Sequence, residues 1–357
     1  MKKEFLDLGR QPIANKFLKE DEVSGEFFFD LKVVFDEDTK LVSMKDFVKP
    51  ELMFNEDYKY NTSLSTPMVN HFKETAEMLK MKFKPKKVLE IGSNDGPFIS
   101  NFDKDSSMCV EPCDNFAKIT ADMGYKTSTE FWTTDLSEKI VKQNGYMDLI
   151  YSANCVCHIQ DLDDAFKAIE NLLSPSGVFV FEDPSLLRML ERGSYDQIYD
   201  EHIFMFSVSS IKKVFKLFNF DLIDVQKQKT HGGSMRYVIA REGEYKIKNI
   251  VKIGLNYEKK VNIDNLKGCL DFKKNCENSK RRLRNKIFSI KKKNKNIAGY
   301  AATSKSTTIL NYCGINNRHI DFICDTTKDK IGKFTPKTHI PIVNIDHFRK
   351  NLPDYTF

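Results

Sequence analysis

The chain has 357 residues, 41% of them hydrophobic and 30% charged, with a net charge of +6. That length suggests two or three domains, and the composition supplies real cores and excludes wholesale disorder. No run approaches the roughly 20 apolar residues of a membrane span. The start, MKKEFLDLGRQP, lacks the apolar centre of a signal peptide. Eight cysteines without C-x-x-C spacing read as free buried thiols in a reduced, cytoplasmic compartment, and offer no structural zinc site. The basic excess is local: residues 280–295 hold nine Lys or Arg and no acid, and the remainder would carry −3 without them. A solvated helix face is the preferred reading of that run, and a polyanion patch the lesser one.

In chain order, residues 1–75 predict a small β-rich lobe (EFFFDLKVVF, KLVSM) that ends in the aromatic stretch YKYNTSLS. A helix follows over 66–83, with Ser65 or Thr66 to cap it and Pro67 in its first turn. The segments KKVLEIGS, SSMCVEP, MDLIYSANCV and GVFVFEDP read as strands, the last after a turn at Ser174–Gly177. They alternate with helices such as DAFKAIENLL, which predicts an α/β architecture with a parallel, doubly wound sheet over 76–243. SSIKKVFKLFNF, DLIDVQKQ and SMRYVIAR complete that unit. Residues 244–295 read as a charged helical connector. Residues 296–357 read as a second Rossmann-like unit, from NIAGYAATSKSTTILNYCGI and HIDFICDT.

The strongest local signal is VLEIGSNDG, residues 88–96. A buried strand ends at Glu90, and Gly92 and Gly96 frame a tight loop through Asn94 and Asp95, where the backbone can approach a ligand closely. The dinucleotide fingerprint G-x-G-x-x-G is absent. The pattern E-x-G-x-x-x-G instead resembles motif I of class I S-adenosylmethionine-dependent methyltransferases, although an ordinary Rossmann unit with other cargo would share it. That resemblance implies a carboxylate for the methionine amine, for which Glu90 or Asp95 is placed, and one for the ribose hydroxyls, for which Glu111 is placed at the end of CVEP. Asn154 closes the third strand near the same mouth.

The richest polar segment is YDQIYDEHIFMFS, residues 195–207. His202 titrates near neutrality and can take a proton, and Glu201 or Tyr199 could orient it. A polar helix end is the plainer reading of this segment alone. His158 in ANCVCHIQDLDD and His231 in THGGSMR fall in other post-strand loops, and together the three histidines point to a site.

These segments resemble the nucleotide-sugar C-methyltransferases over nearly the whole chain: LGRQPIANKFL, NEDYKYNTSLSTPMVNH, EIGSNDG, ANCVCHIQDLDD, DQIYDEHIFMFS, THGGSMR and GYAATSK. The resemblance implies an N-terminal zinc-binding domain, a methyltransferase core and a C-terminal Rossmann-like domain. It also implies chemistry in which a histidine removes the C3 proton of a 4-keto nucleotide sugar and C3 then attacks the methyl of S-adenosylmethionine. Carried over, His202 is the base, with Tyr199, Glu201 and His158 beside it. Tyr58 or Tyr60, His231 and Arg236 line the sugar site, and Lys305 meets the diphosphate. Three departures stand out. The zinc cysteines are missing, so no zinc is expected and Phe27, Phe28, Phe29, Val33, Val34 and Phe35 must hold the lobe. Asp200 stands where the family's signature has a histidine. The family's last domain continues past PDY, so residues 296–357 are expected to be incomplete. Sugar O-methylation and a non-catalytic binding homologue are the alternatives; membrane partners are not expected, and a nucleic-acid partner is the remotest reading.

Overall fold

A computed structural model of the chain describes residues 1–55, 58 and 60–357. Of the tyrosine-rich segment, Glu56, Asp57 and Lys59 lie outside the described residues. β1 (Lys2–Pro12), β2 (Phe28–Asp36) and β3 (Val42–Met44) form an antiparallel sheet. Alternation along β2 sends Leu31, Val33 and Phe35 inward, each with 0% exposure. Of the phenylalanines expected to hold this lobe, Phe27 is 46% exposed, and Phe28 and Phe29 are only partly buried. α1 (Thr66–Phe83) follows, and buries Met68, Phe72, Ala76 and Leu79 along one stripe. It runs straight through the boundary expected at 75/76.

The central unit contains β4 (Val88–Ile91), β5 (Ser107–Val110), α2 (Asp114–Asp122), β6 (Lys126–Ser128) and α3 (Thr134–Asn144). It continues with β7 (Met147–Ala153), α4 (Leu162–Leu172), β8 (Leu173–Pro184) and α5 (Leu186–Arg192). After β9 (Phe204–Met205) come α6 (Val208–Lys216), β10 (Phe220–Gln228) and β11 (Ser234–Arg241). Seven of these strands make one sheet in the order β10-β11-β8-β7-β4-β5-β6. The β8-β7-β4-β5-β6 pairings are parallel, and β11 runs antiparallel to both of its neighbours. The turn expected at Ser174–Gly177 is instead part of β8, which starts at Leu173 and absorbs the extra residues as a register shift against β7. β9 leaves this unit and pairs with β3 of the N-terminal lobe.

α7 (Asn249–Lys260) and the long α8 (Leu266–Lys291) form the charged helical stretch. Its basic run is partly structural. Arg284 donates to the Cys313 carbonyl at 2.7 Å, Lys280 lies 4.1 Å from the Tyr312 ring centre, and Lys291 and Lys295 pair with Asp321 and Asp354. These contacts bind the helix to the last unit, which holds β12 (Ile297–Tyr300), α9 (Ser304–Cys313), β13 (Phe322–Cys324), β14 (Ile342–Val343), α10 (Ile345–Lys350) and β15 (Tyr355–Thr356). Its four strands are all parallel, in the order β14-β13-β12-β15. All eight cysteines are free. Among the described residues no helix is long and apolar enough to cross a membrane. Replacing the fully buried Phe35 by Ala leaves a cavity in the lobe core, and denaturant titration should show a loss of about 3–5 kcal/mol.

Candidate active site

Every strand end expected at the site lies on one edge of the central sheet, above a cavity of about 280 Å³. β4 ends at Ile91 and the chain turns at Gly92 (φ +70°) and Gly96 (φ +81°). A Cβ on Gly92 would sit 2.7 Å from the Cys155 sulfur, so only glycine fits there. Glu111 follows β5, and its two oxygens accept the Asn94 N–H at 2.7 Å and the Cys113 N–H at 3.0 Å. Glu90 lines the cavity and accepts the Ile99 N–H. Burial pushes the Glu90 carboxyl well above the usual range and raises Glu111 as well. Asn154 follows β7 at φ +52°, and its side-chain oxygen is buried without a partner, as is the Ser93 hydroxyl.

The far wall comes from the N-terminal side, with Phe54, Tyr58 and Tyr60, while Phe131 and Trp132 close another side. His158 and His231 also line the space, and the Nε2 atom of each is buried and unpartnered. His158 stacks between Phe54 and His202, with both ring centres at 5.3 Å. His202 lies behind it, 8% exposed. Its Nδ1–H donates to the Gln197 carbonyl at 2.8 Å, which leaves Nε2 as the atom accepting the Tyr199 hydroxyl at 2.9 Å. Burial holds His158 down at about 3 and His231 at about 4, and holds His202 well below the usual range, so all three are neutral near pH 7. Burial raises Glu201, Asp200 adds to the shift, and the nearby Tyr58 opposes it.

Several expected residues are therefore together: Glu90, Gly92, Asn94, Glu111, Asn154, Tyr58, Tyr60, His158 and His231 all line the cavity. His202, Tyr199 and Glu201 sit one layer behind it, buried. Lys305, on the first turn of α9, is within electrostatic reach of Asp196, His202 and His231, and among the described residues has no ion-pair partner within 4 Å. Two expectations are corrected. Arg236 is not in the cleft: it is buried in an ion pair with Glu182 at 2.7 Å and also bonds Gln226 and Thr75. Asp95 does not line the cavity among the described residues, and its carboxylate instead accepts the Ser63 N–H. The Gln197 carbonyl, which sets the His202 tautomer, escaped the sequence reading because a main-chain oxygen leaves no residue signature. Trp132 and Phe131 were missed because they follow the short, polar strand β6.

Cys157, His158 and His202 bring their donor atoms within 4.8 Å of one another. Both His202 nitrogens already have hydrogen-bond partners, the Tyr199 hydroxyl and the Gln197 carbonyl. S-adenosylmethionine does fit the strand-end half. The glycine cradle admits backbone approach, two carboxyls face the space, and the Asn154 and Ser93 oxygens lack partners.

A seven-stranded sheet with one reversed strand, a glycine loop after β4 and an acid after the adjacent β5 define an S-adenosylmethionine-dependent methyltransferase. Three family models match in succession: a putative zinc binding domain over residues 1–54, a methyltransferase domain over 69–225 and a C-methyltransferase C-terminal domain over 229–357. The C-methyltransferase NovU of Streptomyces niveus is 28% identical over 357 residues, covering 98% of this chain and 85% of its own. Two solved structures share part of the chain. The PH0226 protein from Pyrococcus horikoshii OT3 is 14% identical, covers 55% of this chain and 100% of its own, and has a TM-score of 0.39. An S-adenosylmethionine-dependent methyltransferase from Clostridium acetobutylicum ATCC 824 is 15% identical, covers 49% and 92%, and has a TM-score of 0.38. Over these three successive parts the chain is similar to C-methyltransferases. Its first 54 residues hold neither Cys nor His, the first histidine being His71, so they do not fit the soft ligand set of a structural zinc site.

Glu111→Gln replaces the carboxyl that lines the cavity after β5; titration calorimetry should show S-adenosylhomocysteine binding weakened at least about tenfold. His158 carries a stability signature. Its pKa is about 6.5 when unfolded and about 3 when folded, so the folded state refuses a proton that the unfolded state takes. The contribution is present above pH 6.5 and is lost as the pH falls towards 3. Denaturation across that window should show a shallower acid decline in His158→Gln than in the parent.

Proposed function

We propose that this methyltransferase acts at C3 of a 4-keto, nucleotide-linked deoxysugar. The observation that carries the reading is the His202 arrangement: a buried neutral imidazole whose tautomer is set by a main-chain carbonyl, with Nε2 as its basic atom. A ketone acidifies the neighbouring C–H, and a well-placed neutral base can then remove that proton. S-adenosylmethionine, when bound, supplies an electrophilic methyl group. His202, one layer behind the cavity, takes the C3 proton at Nε2 once the sugar enters that layer and displaces the Tyr199 hydroxyl, which then donates to the developing enolate oxygen. Glu201 with its Tyr58 partner, and Tyr60 beside His231, hold the sugar ring. Lys305 meets the diphosphate as a cation on that side. The C-methyltransferase name of the NovU relative supports carbon as the acceptor.

Oxygen methylation would need a base for the sugar hydroxyl, and Asp200, in place of the family's histidine, is the candidate. That side chain instead accepts the Ala14 N–H at 2.8 Å and is 0% exposed, so it offers no base to a sugar hydroxyl. The N-terminal lobe is read as metal-free, because packing around Leu31, Val33 and Phe35 replaces the missing ligands. Eight free thiols favour a reducing compartment such as the cytoplasm.

The test is turnover of 4-keto-6-deoxysugars linked to dTDP, GDP, UDP or CDP, with NMR location of the new methyl. A methyl on C3 is expected; a methyl on oxygen would overturn the reading. His202→Ala should lower kcat by about 10²-fold or more and leave S-adenosylhomocysteine affinity within about threefold.

A further inference from the structure

Asp95 and Asn94 were expected to serve the cofactor, and the structure gives their side chains other partners. The Asp95 carboxylate, 5% exposed, accepts the Ser63 N–H at 3.1 and 3.2 Å. Asn94 accepts the Thr62 N–H with its side-chain oxygen at 3.0 Å and donates its amide to the Tyr60 carbonyl at 2.9 Å. Asn115, on α2, donates to the Tyr58 carbonyl at 3.1 Å. Four residues of the tyrosine segment, Tyr58, Tyr60, Thr62 and Ser63, are thus held by their main chain to the loops after β4 and β5. Their side chains face the other way: Tyr58 reaches Glu201 and Tyr60 lies over His231. The same loop touches the ribose position, since Glu111 accepts the Asn94 N–H.

We infer that Asn94 and Asp95 are positioning residues, which clamp the tyrosine segment on the cofactor loop and so place Tyr58 and Tyr60 for the sugar. This rests on the reading of those tyrosines as sugar contacts. It reassigns Asp95 from the methionine amine to the substrate half of the site. The geometry requires an acceptor at Asp95 and does not require its charge, whereas a methionine ammonium would require the charge.

Three variants of the full chain separate the two roles: Asp95→Ala, Asp95→Asn and Asn94→Ala. Hydrogen exchange should be faster over residues 60–64 in Asp95→Ala and Asn94→Ala, and unchanged over β4, β5 and β7. S-adenosylhomocysteine affinity should stay within about threefold of the parent in the two Asp95 variants. KM for the sugar turned over best should rise at least about tenfold in the two alanine variants, with kcat changed less. Asp95→Asn, which keeps an acceptor oxygen for the Ser63 N–H, should restore the parental exchange and KM. Loss of S-adenosylhomocysteine affinity in Asp95→Asn, with residues 60–64 still protected, would overturn the clamp and return Asp95 to the cofactor. Unchanged exchange in both alanine variants would also overturn it. Exchange and cofactor binding need no sugar, so failure of every nucleotide sugar to react counts against the substrate reading alone.

Discussion

Residues 198–205 are hydrogen-bonded by the N-terminal lobe, by the loop after β7 and by α9, and the site depends on that. Thr308 of α9 donates to the Ile198 carbonyl. The Ala14 N–H of the N-terminal lobe donates to Asp200, and the Met44 N–H to the Ile203 carbonyl. The Ile203 N–H donates to the Cys157 carbonyl in the loop after β7, and Phe204–Met205 enters the lobe sheet as β9. A segment this polar can be buried only when its main chain is satisfied from all sides. The three units supply those partners jointly, and the Tyr199–His202 pair is therefore assembled by their docking.

The same burial sets the electrostatics. Apolar surroundings keep His158, His202 and His231 neutral and favour the protonated forms of Glu90 and Glu201. The fixed ion pair nearby, Glu182 with His71 and Arg236, behaves differently. Burial opposes the charge on Glu182, yet its two partners hold it below the usual carboxylate range. It braces the end of β8 against α1 and β11 and leaves Arg236 no freedom to reach a substrate.

Much of the fold and part of the site could be read from local pattern. Apolar strands alternating with amphipathic helices implied the doubly wound sheet, because periodicity is a property of neighbours in the chain. Gly92, Gly96 and Glu111 marked the strand-end half of the cavity, since a glycine loop and an acid at a strand end act within a few residues of the strands that carry them. Residues 174–177 misled as a turn because Ser, Pro and Gly mark turns and bulges alike. The basic run at 280–295 hid its ties to Tyr312, Cys313, Asp321 and Asp354, which the helix reaches only by packing.

The sequence by itself determined the class of fold, the order of its units, the glycine cradle and the identity of the polar residues that gather at the strand ends. Only the tertiary structure decided how those residues are used. Arg236 became a structural partner because Glu182, 54 residues earlier in the chain, lies beside it. Asp95 turned from the cavity because the main chain of Ser63 approaches it from the N-terminal side. His202 acquired its tautomer from a carbonyl and its cap from Tyr199. Such pairings depend on distances between segments that no local pattern encodes, and a buried polar atom takes whichever partner the packing brings within reach.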